Sequence, residues 1–246
     1  MFHKFKGKII WSADGISFEE LIAIIEDDFP KDSVAIKLDR LFLTRYGLGT
    51  ISEVQKRGIP VFADAKIVEI PSKVNEVAKL HLEHQPWMLN VMAGVCNNGL
   101  TPSRPNSNQK ADELYHFSGL CREAGTKSCV VTVLTSKTPE LAEDEFNKTA
   151  LEAVMFYAQL AFDCGVTDIV CSPEEAIKVR TLGSIDINTP GIRMPGGDAG
   201  DQARIMTPAN AIKNGATRLV IGRPLSEGGD FHGNLAKIRA NMGGAT

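Results

Sequence analysis

The sequence predicts an α/β fold: a (β/α)8 barrel of the TIM type, with eight parallel strands closed inside a ring of helices. Three observations predict it. Short apolar runs rich in β-branched residues recur eight times, separated by longer polar or amphipathic stretches, the pattern of parallel strands joined by helical crossovers. Charged residues gather at the carboxyl ends of the first three runs, where α/β folds keep their chemistry. Glycine-rich turns follow the seventh and eighth runs. Eight units in 246 residues match the barrel count, and no segment is rich enough in proline, glycine or serine to serve as a linker. Residues 1–246 therefore read as one domain.

The first strand is GKIIWSA (7–13), which the N-terminal MFHKFKGKII enters directly. SFEELIAIIEDDF (17–29) follows as a helix, with Ser17 as N-cap and Glu20 closing a capping box. The second strand is SVAIKL (33–38); the third, PVFADAKI (60–67), is opened by Gly58 and Pro60. PWMLNVMA (86–93) is the fourth, and the polar NNGLTPSRPNSNQK (97–110) reads as the loop after it. SCVVTVLT (128–135) is the fifth strand, followed by PELAEDEFNKTALEAVMFYAQLAFDCG (139–165), a long helix or helix pair ended by Gly165. VTDIVCS (166–172), SIDINT (184–189) and TRLVIG (217–222) complete the eight, and RMPGGDAGDQAR (193–204) is the loop after the seventh. In a barrel, both long loops open on the carboxyl face.

Composition narrows the function. Of the residues, 43% are hydrophobic and 23% charged, with a formal charge of −3 and no Lys/Arg block, which gives no footprint for nucleic acid. Nothing approaches the run of about 18 apolar residues that a membrane span needs, and no secretion signal precedes the first strand. A cytoplasmic protein without membrane contact is expected. The five cysteines (96, 121, 129, 164, 171) are odd in number and lack C-x-x-C spacing, so they read as reduced thiols.

The stretch VFADAKIVEIPSKV (61–74) carries Asp64, Lys66 and Glu69 inside an apolar run. Residues two apart on a strand share a face, so Asp64 and Lys66 should project together. Asp14 after the first strand and Lys37 on the second extend the set to an alternating Asp/Lys cluster. One such charge would read as a structural ion pair, but burying four is hard to justify as a stabilising device. TPGIRMPGGDAGDQARIMTP (189–208) carries Gln202 and Arg204, and VIGRPL (220–225) puts Gly222 and Arg223 at the end of the eighth strand. Backbone N–H groups and a guanidinium at this place commonly grip a phosphate monoester. His3, His81, His84, His116 and His232 fall in helical or terminal segments, and His81 and His84 read as surface residues at a helix end rather than metal ligands. The absence of G-x-S-x-G, Walker and first-strand G-x-G-x-x-G motifs weakens acyl hydrolases, P-loop enzymes and Rossmann dehydrogenases.

Together these residues resemble the orotidine 5′-monophosphate decarboxylase family over nearly the whole length. Asp64, Lys66, Ile70 and Pro71 meet its D-x-K-x-x-D-I-P pattern; VTVLTS (131–136) resembles its fifth strand; TPGIR, GDQ-R-x-x-TP and V-x-GRP resemble its phosphate-gripping end. The resemblance implies cofactor-independent conversion of orotidine 5′-monophosphate to UMP, the last step of de novo pyrimidine synthesis. It implies that Ser136 contacts the pyrimidine, Gln202, Gly222 and Arg223 the phosphate end, and Asp14 and Lys37 the ribose hydroxyls, with Lys37 also in the catalytic array of Asp64 and Lys66. It also implies a homodimer sharing each site across its interface, with Glu69 serving the partner's site, a nucleotide as the small-molecule substrate, and no metal. Three positions depart from the pattern: Glu69 replaces an aspartate, Lys73 a threonine and Met92 a frequent histidine. Two other readings stay open. One is a metal-dependent sugar-phosphate decarboxylase of the same superfamily; the other is a non-catalytic or weakly active UMP-binding homologue.

Overall fold

Eight parallel strands close on themselves in chain order: β1 (Ile9–Ser12), β2 (Val34–Asp39), β3 (Val61–Ile67), β4 (Met88–Met92), β5 (Lys127–Val131), β6 (Asp168–Val170), β7 (Asp186–Thr189) and β8 (Arg218–Ile221). The structure, a computed structural model, describes residues 5–96, 112–197 and 204–243. The circle is completed by β1 against β8, with Ile10 opposite Val220. All eight predicted strands are present, so the (β/α)8 barrel is the fold.

Alternation sorts each strand into two faces. Ile10, Ala35, Phe62, Met88, Cys129 and Val220 form one buried cluster inside the barrel, closed below by Trp87. The intervening residues, among them Ile9, Trp11, Val34, Ile36, Val61, Leu89, Val130, Ile169 and Leu219, belong to the larger cluster between barrel and helices. At the amino ends of the strands Lys127, Asp168, Asp186 and Arg218 form an ion network at 2.7–3.1 Å, which fills the barrel floor. Chemistry is thereby left to the opposite end.

Local signals account for the helix boundaries. Ser17 and Glu20 make the expected capping box on Phe18–Glu26. The predicted helix over 139–165 is a pair, Pro139–Phe146 and Ala150–Asp163. Asn147 breaks it in the left-handed conformation (φ 50°), and Thr149 with Glu152 caps the second member by another capping box. The fifth strand is shorter than its apolar run and ends at Val131, though Thr132 N–H still bonds to the Val170 carbonyl. The chain then turns inward toward the carboxyl mouth. The loop predicted at 97–110 lies outside the described residues, as do 198–203 of the loop after β7. Cys121, Cys129 and Cys171 are buried free thiols, and Cys164 is buried as well. Among the described residues no helix is long and apolar enough to cross a membrane.

Candidate active site

A cavity of about 550 Å³ opens at the carboxyl ends of the strands, within the range of small-molecule sites. Phe62 and Val220 of the interior cluster form its floor, and Val131, Val133, Leu134 and Val170 an apolar wall. Asp14, Lys37, Asp64 and Lys66 line it from β1 to β3; Gly191, Arg193, Gly222 and Arg223 line it from the β7 and β8 ends. Four lysine and arginine side chains face two aspartates, so the lining is suited to an anion.

The predicted charge cluster is assembled. Lys66 Nζ lies 2.7 Å from Asp64 Oδ2, Lys37 Nζ lies 2.8 Å from the same oxygen, and Lys37 also reaches Asp14 Oδ1 at 3.0 Å. Ser12 Oγ donates to the other oxygen of Asp14 at 2.7 Å. Of the four charges expected to be buried, Lys37 and Asp64 are; Asp14 is exposed, and the Lys66 side chain is 37% exposed toward the cavity. Burial alone would drive the Asp64 pKa up, but Lys37 and then Lys66 outweigh it and hold the carboxyl well below the usual range. Burial would likewise depress Lys37, but Asp64 and then Asp14 hold its ammonium above the ordinary lysine range. A depressed acid loses its stabilising charge only as pH falls through its folded pKa, and a raised lysine only as pH rises through its own. The Lys37–Asp64 pair is therefore ionised throughout the neutral range.

Alternation correctly brings Asp64 and Lys66 together, but the backbone is not regular there. Lys66 has φ 43°, and β3 slips against β4 between Ala63 and Ile67. Asn90 of β4 spans this bulge: its Nδ2 donates to Asp64 Oδ1 and its Oδ1 accepts from the Lys66 N–H, both at 2.7 Å. Sequence reasoning missed Asn90, although it is the one side chain in the run PWMLNVMA that can both donate and accept hydrogen bonds.

Ser136 lines the cavity five residues beyond the end of β5, beside Thr135. Gly222 and Arg223 also line it, directly after β8. Gln202 lies outside the described residues. Arg193, in the quoted TPGIR, was not singled out from the sequence but faces the same cavity. Glu69 does not enter the cavity of its own chain. It is exposed between β3 and the helix Pro71–Leu82, at a separate depression with Arg40, Thr44 and His81, among exposed Leu41, Val68 and Ile70. His81 Nδ1 donates to the Val77 carbonyl at 2.8 Å, and His84 Nδ1 lies 3.1 Å from Ser52 Oγ; neither histidine lines the cavity.

Arg204 departs from its expected place among phosphate-facing groups. It is buried, pairs with Glu175, and donates to the Leu134 carbonyl at 3.1 Å. Its role is to tie the segments after β5, β6 and β7 together behind the cavity wall. Burial raises the Glu175 pKa despite the pull of Arg204. Arg204→Met should cost about 3–5 kcal/mol in urea unfolding, because it strands a buried carboxylate. That loss should ease as pH falls, since an acid with a raised folded pKa favours the fold when protonated. Adding Glu175→Leu should recover most of it. A single-variant cost below about 1 kcal/mol would fit a surface pair and contradict this account.

The comparisons with known proteins follow the same lines. The orotidine 5′-phosphate decarboxylase / HUMPS family matches residues 7–238. An orotidine 5′-phosphate decarboxylase of Vibrio atlanticus (strain LGP32) is 33% identical over 238 residues, covering 96% of this chain and 98% of that protein. One from Enterobacter sp. (strain 638) is 30% identical over 241 residues, covering 97% and 93%. Among solved structures, an orotidine 5′-phosphate decarboxylase from Lactobacillus acidophilus superposes with a TM-score of 0.74 at 24% identity, over 96% of this chain and 98% of the other. An uncharacterized conserved protein from Geobacillus kaustophilus gives 0.74 at 22%, over 95% and 99%; at these identities the structures speak for the fold. The chain belongs to the orotidine 5′-phosphate decarboxylase / HUMPS family.

Proposed function

We propose that the chain decarboxylates orotidine 5′-monophosphate to UMP without a cofactor, as the last step of de novo pyrimidine synthesis. The observation that carries this reading is the Lys66 ammonium, 2.7 Å from an Asp64 carboxylate that Lys37 also holds, at the edge of a cavity with excess positive charge. The C6–carboxylate bond breaks, CO2 leaves, and the electron pair remains on C6, where the ring delocalises it poorly. Lys66 stabilises that developing charge and then transfers its proton to C6, giving UMP. Asp64 keeps the ammonium in place and crowds the departing carboxylate. Lys37 and Asp14 take the ribose hydroxyls, Ser136 and the apolar wall the base, and Gln202, Gly222, Arg193 and Arg223 the phosphate.

A homodimer fits this reading. Leu41, Val68 and Ile70 leave apolar surface beside Glu69, and burying it against a second copy would carry Glu69 toward the partner's cavity. The test is the fall in absorbance as purified protein converts orotidine 5′-monophosphate, with and without EDTA. Turnover should persist in EDTA. Loss in EDTA would favour a metal-dependent sugar-phosphate enzyme, and thermal stabilisation by UMP without CO2 release would mean a binding protein.

Arg223→Ala should lower kcat/KM for the phosphorylated substrate by about 10- to 100-fold, the worth of a charge-assisted contact of roughly 1.5–3 kcal/mol. Turnover of the nucleoside lacking phosphate should hardly change. Equal losses for both substrates would make Arg223 structural.

A further inference from the structure

Asn90 is fully buried on β4 and is not one of the cavity-lining side chains. Its amide nevertheless bonds both members of the Asp64–Lys66 pair, one through the carboxylate and the other through the backbone. Those two bonds do separate jobs. Where β3 slips against β4 and Lys66 turns to φ 43°, the Lys66 N–H has no ladder carbonyl, and a buried N–H without an acceptor is costly. Asn90 Oδ1 supplies the acceptor, stabilising a backbone conformation that a residue with a Cβ seldom adopts. Asn90 Nδ2 meanwhile occupies Asp64 Oδ1, which leaves Oδ2 to receive both Lys37 and Lys66.

The chemistry is specific to an amide in this orientation. An apolar side chain offers neither partner. An ionised carboxylate could accept from Lys66 but would face Asp64 with like charge and no donor. We propose that Asn90 is a positioning residue, which fixes the Lys66 ammonium by holding its backbone and the orientation of its counter-ion. This rests on the decarboxylase reading for its consequence, though not for its geometry.

The test needs two variants and two kinds of measurement. Amide hydrogen exchange, followed by NMR without substrate, should show the Lys66 N–H of Asn90→Leu exchanging at least about 10-fold faster, while the amides of Ala63 and Val91 keep their protection. In turnover, Asn90→Leu should lose about 10- to 100-fold in kcat with KM within about threefold, since a shift of about 1 Å at the reacting group can cost that much. Asn90→Asp adds a pH signature. When protonated, the introduced carboxyl can donate to Asp64 and accept from Lys66, so kcat should recover on the acid side, a limb the parent lacks. Among the described residues the charged groups around it are Asp64 and Lys66 on β3, which it bonds, and Lys37 on β2, which reaches it through Asp64; opposite on β5 is Cys129, whose thiol burial keeps neutral.

Unchanged Lys66 exchange in Asn90→Leu would overturn the proposal, as would faster exchange with unaltered kcat or a loss confined to KM. Should Asn90→Leu not fold, Asn90→Asp decides: a pH profile parallel to the parent's overturns the proposal, and an acid-side recovery upholds it. If the parent releases no CO2 from orotidine 5′-monophosphate, the decarboxylase reading fails while the exchange measurement still decides whether Asn90 holds Lys66.

Discussion

Replacing Lys66 by alanine is expected to lower kcat by at least about 10³-fold, in a protein that still folds and still binds UMP. The substitution removes two effects at once. The fixed positive charge beside C6 is lost, and so is the proton that the carbanion would receive. Either effect alone contributes on the order of 10²-fold or more. The fold should survive because Asp64 keeps two partners, Lys37 at 2.8 Å and Asn90 at 2.7 Å. UMP carries no carboxylate at C6, so its affinity should change only a few-fold when measured by calorimetry. Activity within tenfold of the parent would sink the proposed chemistry. Loss of UMP binding together with activity would instead show that Lys66 organises the cavity.

The barrel was legible because each strand carries its own local signal: a β-branched run bounded by turn residues and followed by an amphipathic stretch. Boundaries were less so. VTVLT reads as a continuing strand, yet β5 stops at Val131 because the following residues turn inward to bring Thr135 and Ser136 to the cavity. The break in the 139–165 helix was encoded in NKTALE, where Thr149 and Glu152 are spaced for a capping box, but continuous apolar periodicity masks a one-residue left-handed interruption.

The candidate site divides in the same way. Asp14, Lys37, Asp64 and Lys66 could be grouped from the sequence because strand order and alternation suffice to place them. Asn90 joins them through a register slip that no periodicity announces. Glu175 and Arg204 meet across 29 positions, a tertiary pairing with no spacing rule behind it. The Arg204 position also shows why a cation in a glycine-rich stretch is ambiguous: whether it faces the cavity or the wall behind it depends on how the loop closes.

Glu69 carries the other large effect. Glu69→Ala is expected to lose more than about 10²-fold in kcat, whereas Glu69→Asp should stay within about tenfold of the parent. The side chain lies outside its own cavity, on the short exposed segment between Ile67 and Pro71. Pro71 opens the next helix and limits the backbone of the residue before it, so the segment leaves β3 on a defined path. A glutamate reaches about one C–C bond further than an aspartate, and a misplacement of about 1 Å at a reacting centre costs on the order of 10²-fold. The longer side chain can serve the partner's site only if its extra torsion folds the carboxylate back or the segment recedes. Lys73, paired with Glu76 at 2.7 Å and drawn more weakly by Glu69, stands where it can bias that fold. A shared site makes one further demand. Mixing inactive Glu69→Ala with inactive Lys66→Ala should restore activity, because a mixed dimer holds one site with both residues intact. No recovery despite demonstrated subunit exchange would place Glu69 outside the shared site and leave its exposed carboxylate without a catalytic role.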